Sequence, residues 1–290
     1  MREDRFYSVR ELLTKLEAIK SAYGRTCDCN MAGLIRDSID FCYRGIGNAA
    51  YKLRPLALNA DLCRVENEQF DAPLARFQQE ASNYLRTTCG KEKLLWMQYA
   101  QHFGSPTRLL DFTTNPLVAL YFACQSFKAY NPELGREEEL DGVFWVLCPY
   151  NYNTVVSGKH QEADTLNSGM DEDYCQLLLE SASGERYYPM FFTPEYIDQR
   201  MNAQCSRFML WPNARFDLED LIEQENWMDF SPVAEGCSAH RYARRLIVPK
   251  DAKRTILREL DLLGVNEKTL FPGLDSIGNY IKFLFLPDPQ

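Results

Sequence analysis

Apolar and polar positions recur with two different periods along the chain, and the changes of period mark its elements. In "SVRELLTKLEAIKSAYG", Val9, Leu12, Leu13, Leu16 and Ile19 fall on one helical face. Ser8 with Glu11 three residues on makes a capping box, so the pattern predicts an amphipathic helix that ends near Gly24, with 24–33 as a polar loop. "DFCYRGIG" then alternates like a short strand and puts Arg44 at its end beside a glycine. From Asp61 to Gly104 the spacing is helical in pieces: "ADLCRVENEQF", "APLARFQQEASNYLRTT" after a break at Pro73, and "KEKLLWMQYAQHFG". "RLLDF" reads as a brief buried strand. Thr114 or Asn115 followed by Pro116 starts a helix, since proline in the first turn forgoes an N–H that would be unpaired anyway. That helix, "LVALYFACQSF", is apolar almost all round and therefore central.

A charged loop, "NPELGREEELDG", leads to "GVFWVLCP", a continuous apolar run of the kind covered on both faces. Residues 150–185 are polar and weakly periodic, which marks a variable insertion suited to a partner protein. Strands return at "YYPMFF", "SRFMLW" and "RRLIVP", helices at "DLEDLIEQE", "DAKRTILRELDLLG" and "LDSIGNYIKFLF". Helices precede, interrupt and follow the strands without regular alternation. The class is α+β, a small mixed or antiparallel sheet surrounded by helices in a single domain over 1–290.

Composition narrows the function classes. A net charge of −9 over 290 residues argues against broad, salt-dependent nucleic-acid binding, which needs a positive footprint. No apolar run reaches the roughly 18 residues needed to span a bilayer, and "MREDRFYSVRELL" lacks the order of a signal peptide, so a cytoplasmic protein without a membrane partner is expected. The ten cysteines sit mostly in apolar contexts such as "FCYRG" and "YFACQSF", as buried free thiols do. Cys27 and Cys29 lack a second pair at ligand spacing, and no metal is expected. Phosphate loops of the G-x-x-x-x-G-K type, G-x-G-x-x-G and G-x-S-x-G are all missing from the sequence.

What remains is a set of polar residues at strand ends and helix starts, where anions and substrates are commonly met: Arg44, His102, Arg108, Asp111, Thr113, Thr114, Asn115, Gln204 and Arg207. Arg44 could hold a phosphate or carboxylate with its planar fork, or pair structurally with Asp111 or Asp40. His102 ends a helix, where it caps or carries charge. Arg108 and Asp111 face opposite sides of a strand, so each needs its own partner. Asp111 is expected to accept N–H groups from the turn "FTTNP", while Thr113, Thr114 and Asn115 cap the helix. Tyr43 and Tyr121 lie within the constellation and could stack on a ring.

These residues resemble a known family. "FCYRG" followed by "QHFGSPTRLLDFTTNPLVALYFAC" is similar to the FRG domain, a mainly prokaryotic family named for its Phe/Tyr-Arg-Gly motif, here Tyr43, Arg44 and Gly45. The match from Ala100 to Ala123 departs mainly at Phe112, where tryptophan is usual.

A more distant resemblance of arrangement is to ADP-ribosyltransferase-like folds, with Arg44, "DFTTNPLVALYFA" and Gln204 at the stations of an NAD-holding arginine, a strand followed by a helix, and a later glutamate or glutamine. The resemblance implies catalytic roles for Arg44, Thr113 and Gln204. It implies that NAD or a related nucleotide, as substrate, meets Tyr43, Gly45, His102, Arg108, Asp111, Asn115 and Tyr121. Glu195 and Glu185 are alternatives where a carboxylate is wanted. The reading is of an NAD-directed pocket in a toxin or antiphage effector; the alternative is a non-catalytic sensor whose 150–185 segment meets a protein.

Overall fold

Why the chain must be layered is plainest in Gly142–Leu147, whose six residues are all buried and so need cover on both faces. The computed structural model describes residues 4–26, 41–65, 68–89, 92–132, 135–149, 152–153, 172–182, 187–224 and 243–286. In chain order these form β1 (Asp4–Arg5), α1 (Val9–Thr26), β2 (Cys42–Ile46), α2 (Ala72–Cys89), α3 (Lys93–His102), β3 (Leu109–Thr113), α4 (Pro116–Ala123), β4 (Lys128–Asn131) and β5 (Arg136–Glu139). There follow β6 (Gly142–Leu147), α5 (Glu172–Glu180), β7 (Met190–Phe192), α6 (Gln199–Ala203), β8 (Ser206–Leu210), α7 (Leu218–Gln224), β9 (Ala243–Val248), α8 (Lys253–Leu262), α9 (Glu267–Leu270) and α10 (Leu274–Phe285).

Among the described residues seven strands make one mixed sheet in the order β1-β9-β6-β2-β3-β8-β7, in which β1 and β9 run parallel and the other neighbours antiparallel. The fold is α+β. One side buries Phe6, Leu12, Leu16, Phe144, Val146 and Leu246 beneath α1, α4 and α8. The other side buries Phe112, Trp145, Met209 and Trp211 against Leu58 and the apolar face of α7. A third cluster joins Leu109, Phe208 and Leu210 to Trp96, Met97 and Leu178 from α3 and α5.

The sheet is unevenly knit at its centre. β2 pairs with β6 over five residues, from Cys42↔Leu147 to Ile46↔Val143, and β3 pairs with β8 over five. Between β2 and β3 the ladder holds one register pair among the described residues, Tyr43↔Thr113. Past that pair the two strands part. α4 lies directly on β2 and β6 because they present glycines to it: a Cβ on Gly45 would stand 1.7 Å from the Ala119 carbonyl oxygen, and one on Gly142 2.0 Å from that of Ala123.

Several elements differ from the sequence pattern. The Ser8 hydroxyl caps Glu11 N–H (3.2 Å), but the Glu11 carboxylate reaches the N–H of Tyr7 (2.9 Å), closing only half of the box. α1 runs to Thr26, and Leu13 is exposed although it matched the apolar face. Residues 61–65 are turn and coil instead of helix, and the charged stretch 131–142, expected as a loop, supplies the end of β4 and all of β5, a ribbon held by Asn131–Glu138 and by Ser126–Glu139. The remainder of the expected 24–33 loop, Cys27 and Cys29 included, lies outside the described residues, as does most of 150–185. The end of that segment is α5, whose Leu178 and Leu179 are buried core.

Candidate functional site

The parting of β2 and β3 leaves a cavity of about 270 Å³, lined by Tyr43, Arg44 and Gly45 of β2, Asp111, Phe112 and Thr113 of β3, Gln101 of α3, Val118, Ala119 and Phe122 of α4, and Arg200, Gln204 and Ser206. Arg44, Gln204 and the β3 pair Asp111 and Thr113, drawn from three separate parts of the sequence, thus share one concave surface.

Arg44 occupies the split itself. Its Nη1 donates to the backbone carbonyl of Asp111 and stands 3.9 Å from the Asp111 carboxylate. It therefore satisfies a carbonyl that the missing ladder leaves open. Its Nε has no hydrogen-bond partner among the described residues. Burial lowers the guanidinium pKa from its ordinary value, while the charges of Asp111 and Glu219 push it back up. Glu219 is itself buried, with both carboxylate oxygens 2.9 Å from the N–H of Leu53, and burial raises its pKa.

Asp111 does not organise the turn after β3, as the pattern suggested. It sits half-exposed at the cavity, where Gln101 Nε2 donates to its Oδ2 at 2.7 Å; Gln101 in turn accepts from the Thr107 hydroxyl at 2.6 Å. The turn belongs to Thr113 and Asn115. The Thr113 hydroxyl donates to the carbonyl of Gln204 (2.6 Å) and accepts from Asn115 N–H (3.0 Å), and Asn115 Oδ1 caps α4 through Leu117 N–H at 2.9 Å. Gln204, at the C-terminus of α6, donates to the Leu270 carbonyl (3.1 Å), and the following Cys205 turns the chain with φ 48 into β8.

Of the sequence candidates, Arg108, His102, Tyr121, Arg207, Asn115 and Glu195 stand outside the cavity lining. Arg108 is fully buried: its Nε and Nη2 meet the two oxygens of Asp71 at 2.7 and 3.0 Å, and its remaining N–H groups cap the carbonyls of Leu178, Leu179 and Trp211. His102 Nε2 lies 2.9 Å from Asp198, the residue that caps α6. Tyr121 points away from the cavity and donates to Glu267 at 3.0 Å; burial and that carboxylate push its phenol pKa far up. Arg207 reaches Tyr196 at 3.2 Å. Asn115 serves the turn, and neither it nor Glu195 lines the cavity, while Glu185 and Asp40 lie outside the described residues. Tyr43 reaches the cavity, but its ring packs on Phe144 with centroids 5.7 Å apart.

The site also holds residues that the sequence reading passed over: Arg200, Gln101, Phe122 and Ser206. Arg200 is exposed and lies over the Phe271 ring at 4.7 Å. The signal was present, because Arg200 and Gln204 are four residues apart and so share a helical face. Among the described residues no group of three or more His, Cys, Asp or Glu side chains could hold a metal ion, and no helix is long and apolar enough to cross a membrane.

No curated protein and no solved structure matches the chain. The family model for the FRG domain matches residues 40–131, a stretch that holds β2, α2, α3, β3, α4 and β4. With Tyr43, Arg44 and Gly45 on β2 and Gln101, Asp111, Phe112 and Thr113 on the other side of the same cavity, residues 40–131 carry an FRG domain.

Proposed function

We propose that the cavity at the β2–β3 split receives the phosphate-bearing end of a nucleotide of the NAD type, and that the protein acts on it in the manner of an ADP-ribosyltransferase. The observation that carries this reading is the convergence of two arginines, Arg44 and Arg200, with a carboxylate, Asp111, and a carboxamide, Gln204, on one cavity. Two guanidinium groups suit a pyrophosphate, which they can grip with several charge-assisted hydrogen bonds. At about 270 Å³ the cavity is at the small end of ligand sites, sized for one end of a dinucleotide.

The chemistry assigned is cleavage of the bond between ribose C1′ and the nicotinamide nitrogen. The bonding electron pair leaves with nicotinamide, and water or an acceptor attacks the ribosyl cation. Asp111 supplies the negative charge that Gln204 lacks. Gln204, whose amide N–H is engaged by Leu270, offers its oxygen to a ribose hydroxyl. The Thr113 hydroxyl is spent on the turn and so has a shaping role. The stacking surface is Phe122, in place of Tyr43 and Tyr121. An NAD-consuming pocket would serve a toxin or an antiphage effector.

One observation favours the rival reading, a non-catalytic sensor: Arg44 is already engaged by Asp111. Calorimetry with NAD, ADP-ribose and nicotinamide mononucleotide, alongside nicotinamide release, separates the two. Arg200→Ala is the informative variant, since Arg200 is exposed and can be removed without disturbing the sheet. Binding by the wild type with at least tenfold loss in Arg200→Ala at an unchanged melting temperature is expected. Absence of binding and turnover with all three compounds would exclude the proposal.

A further inference from the structure

The last helix is turned the unexpected way round. α10 sets Ser276, Tyr280 and Phe283 toward the protein, where Ser276 donates to Phe271 and Gly273, Tyr280 meets Asp261 and carries Lys268 over its ring, and Phe283 lies under Arg254. Its aliphatic residues face solvent: Leu274 is 87% exposed, Ile277 45%, Ile281 50% and Leu284 48%, with Phe285 and Leu286 beside them. Helices on folded proteins ordinarily bury such a stripe.

Leu274, Ile277, Ile281 and Leu284 are spaced by three, four and three residues, the seam of a helix that packs along another helix. The patch continues onto the end of α8, where Leu262 lines a cleft of about 400 Å³ together with Leu284 and Leu286, and Leu263 is also exposed. These side chains expose on the order of 1,000 Å², whereas a standard interface takes about 800 Å² from each partner and solitary chains seldom show apolar patches beyond a few hundred.

We infer that α10 is a homodimer seam on which a second copy of this chain packs antiparallel about a two-fold axis. That arrangement places Leu274 opposite Leu284 and Ile277 opposite Ile281, so the seam complements itself. It also brings Asp275 of one copy to the flank of Lys282 of the other, whereas parallel packing aligns like charges. A membrane surface fits less well, because the chain carries −9 and α10 has a single lysine.

Sedimentation velocity of the full chain over a concentration series tests the seam. Twice the 33.6 kDa chain mass is expected for the wild type. Ile277→Asp and the milder Ile277→Ser should each weaken association at least tenfold while keeping the circular dichroism of the folded chain. Asp275→Lys should weaken it as well, and Asp275→Lys combined with Lys282→Asp should restore it. A 33.6 kDa species at every concentration overturns the inference, whether or not it binds vesicles of phosphatidylcholine and phosphatidylserine; so does a dimer that survives Ile277→Asp.

Discussion

Arg108 and Asp71 meet inside the protein in a two-pronged contact, Nε to Oδ1 at 2.7 Å and Nη2 to Oδ2 at 3.0 Å, and Lys93 closes on the same carboxylate at 2.8 Å. The pair ties the entry to α2 to the entry to β3, and the other N–H groups of Arg108 fasten α5 and the end of β8. Arg108→Met leaves the Asp71 carboxylate to Lys93 and takes the side-chain donor from the Trp211 carbonyl, while the carbonyls of Leu178 and Leu179 keep the Ser181 hydroxyl and Lys93. It should cost about 3–5 kcal/mol, seen as a fall of roughly 5–8 °C in melting temperature. Burial alone would raise the Asp71 pKa, but hydrogen bonds and charge from Arg108 and Lys93 outweigh it and hold the pKa below the ordinary value. A folded pKa below the unfolded one means that this contribution is complete above about pH 4 and is lost as the pH falls through the lower value. Urea unfolding across the acid range should therefore show a shallower decline in Asp71→Asn than in the wild type.

Gly45 is a packing residue. Any side chain there meets the carbonyl of Ala119 at 1.7 Å and the N–H nitrogen of Ala123 at 2.5 Å, both of them backbone atoms that cannot rotate away. Gly45→Ala should force α4 off the sheet and cost at least about 3 kcal/mol. Thermal unfolding followed by circular dichroism reads this directly, and a melting temperature near that of the wild type would contradict the placement of α4.

Thr113 closes the loop between β3 and α4 onto the end of α6. Thr113→Val keeps the shape and removes both hydrogen bonds, which should cost about 1–3 kcal/mol in denaturant unfolding. Asn115→Ala should cost about 1 kcal/mol through the lost cap.

The aromatic residues of α4 divide the proposed ligand site from its support. Tyr121→Phe loses the hydroxyl's contacts with Glu267 and Gln125, and should lower stability by about 1 kcal/mol with nucleotide affinity unchanged. Phe122→Ala should reduce that affinity about tenfold, a loss of about 1.4 kcal/mol, in the same calorimetric titration.

Where a pattern depends on neighbours in sequence, it was readable. β2, β3, β6, β8 and β9, the Asn115–Pro116 helix start and the mixed class all follow from local periodicity and cap chemistry. Arg44, Asp111, Thr113 and Gln204 could be picked out by residue type and position. What lay beyond reach depended on contacts across the fold. Arg108 resembled a rim residue because nothing local reveals Asp71 at 2.7 Å or the carbonyls of α5. Tyr121 looked available because Glu267, its partner, is 146 residues away. The β4–β5 ribbon hid in a run of glutamates, of which Glu139 is met by Lys253 at the start of α8 and Glu138 by Lys250 in the turn before it.

The sparse joint between β2 and β3 gives this sheet four borders instead of two, and the extra pair faces inward onto the cavity. Strand borders are rows of amide and carbonyl groups waiting for partners, and Arg44 answers one of them at Asp111. Any occupant of the cavity can therefore be gripped by the main chain itself. Alanine scanning erases side chains and leaves those groups in place, so it will understate how much of the recognition belongs to this site.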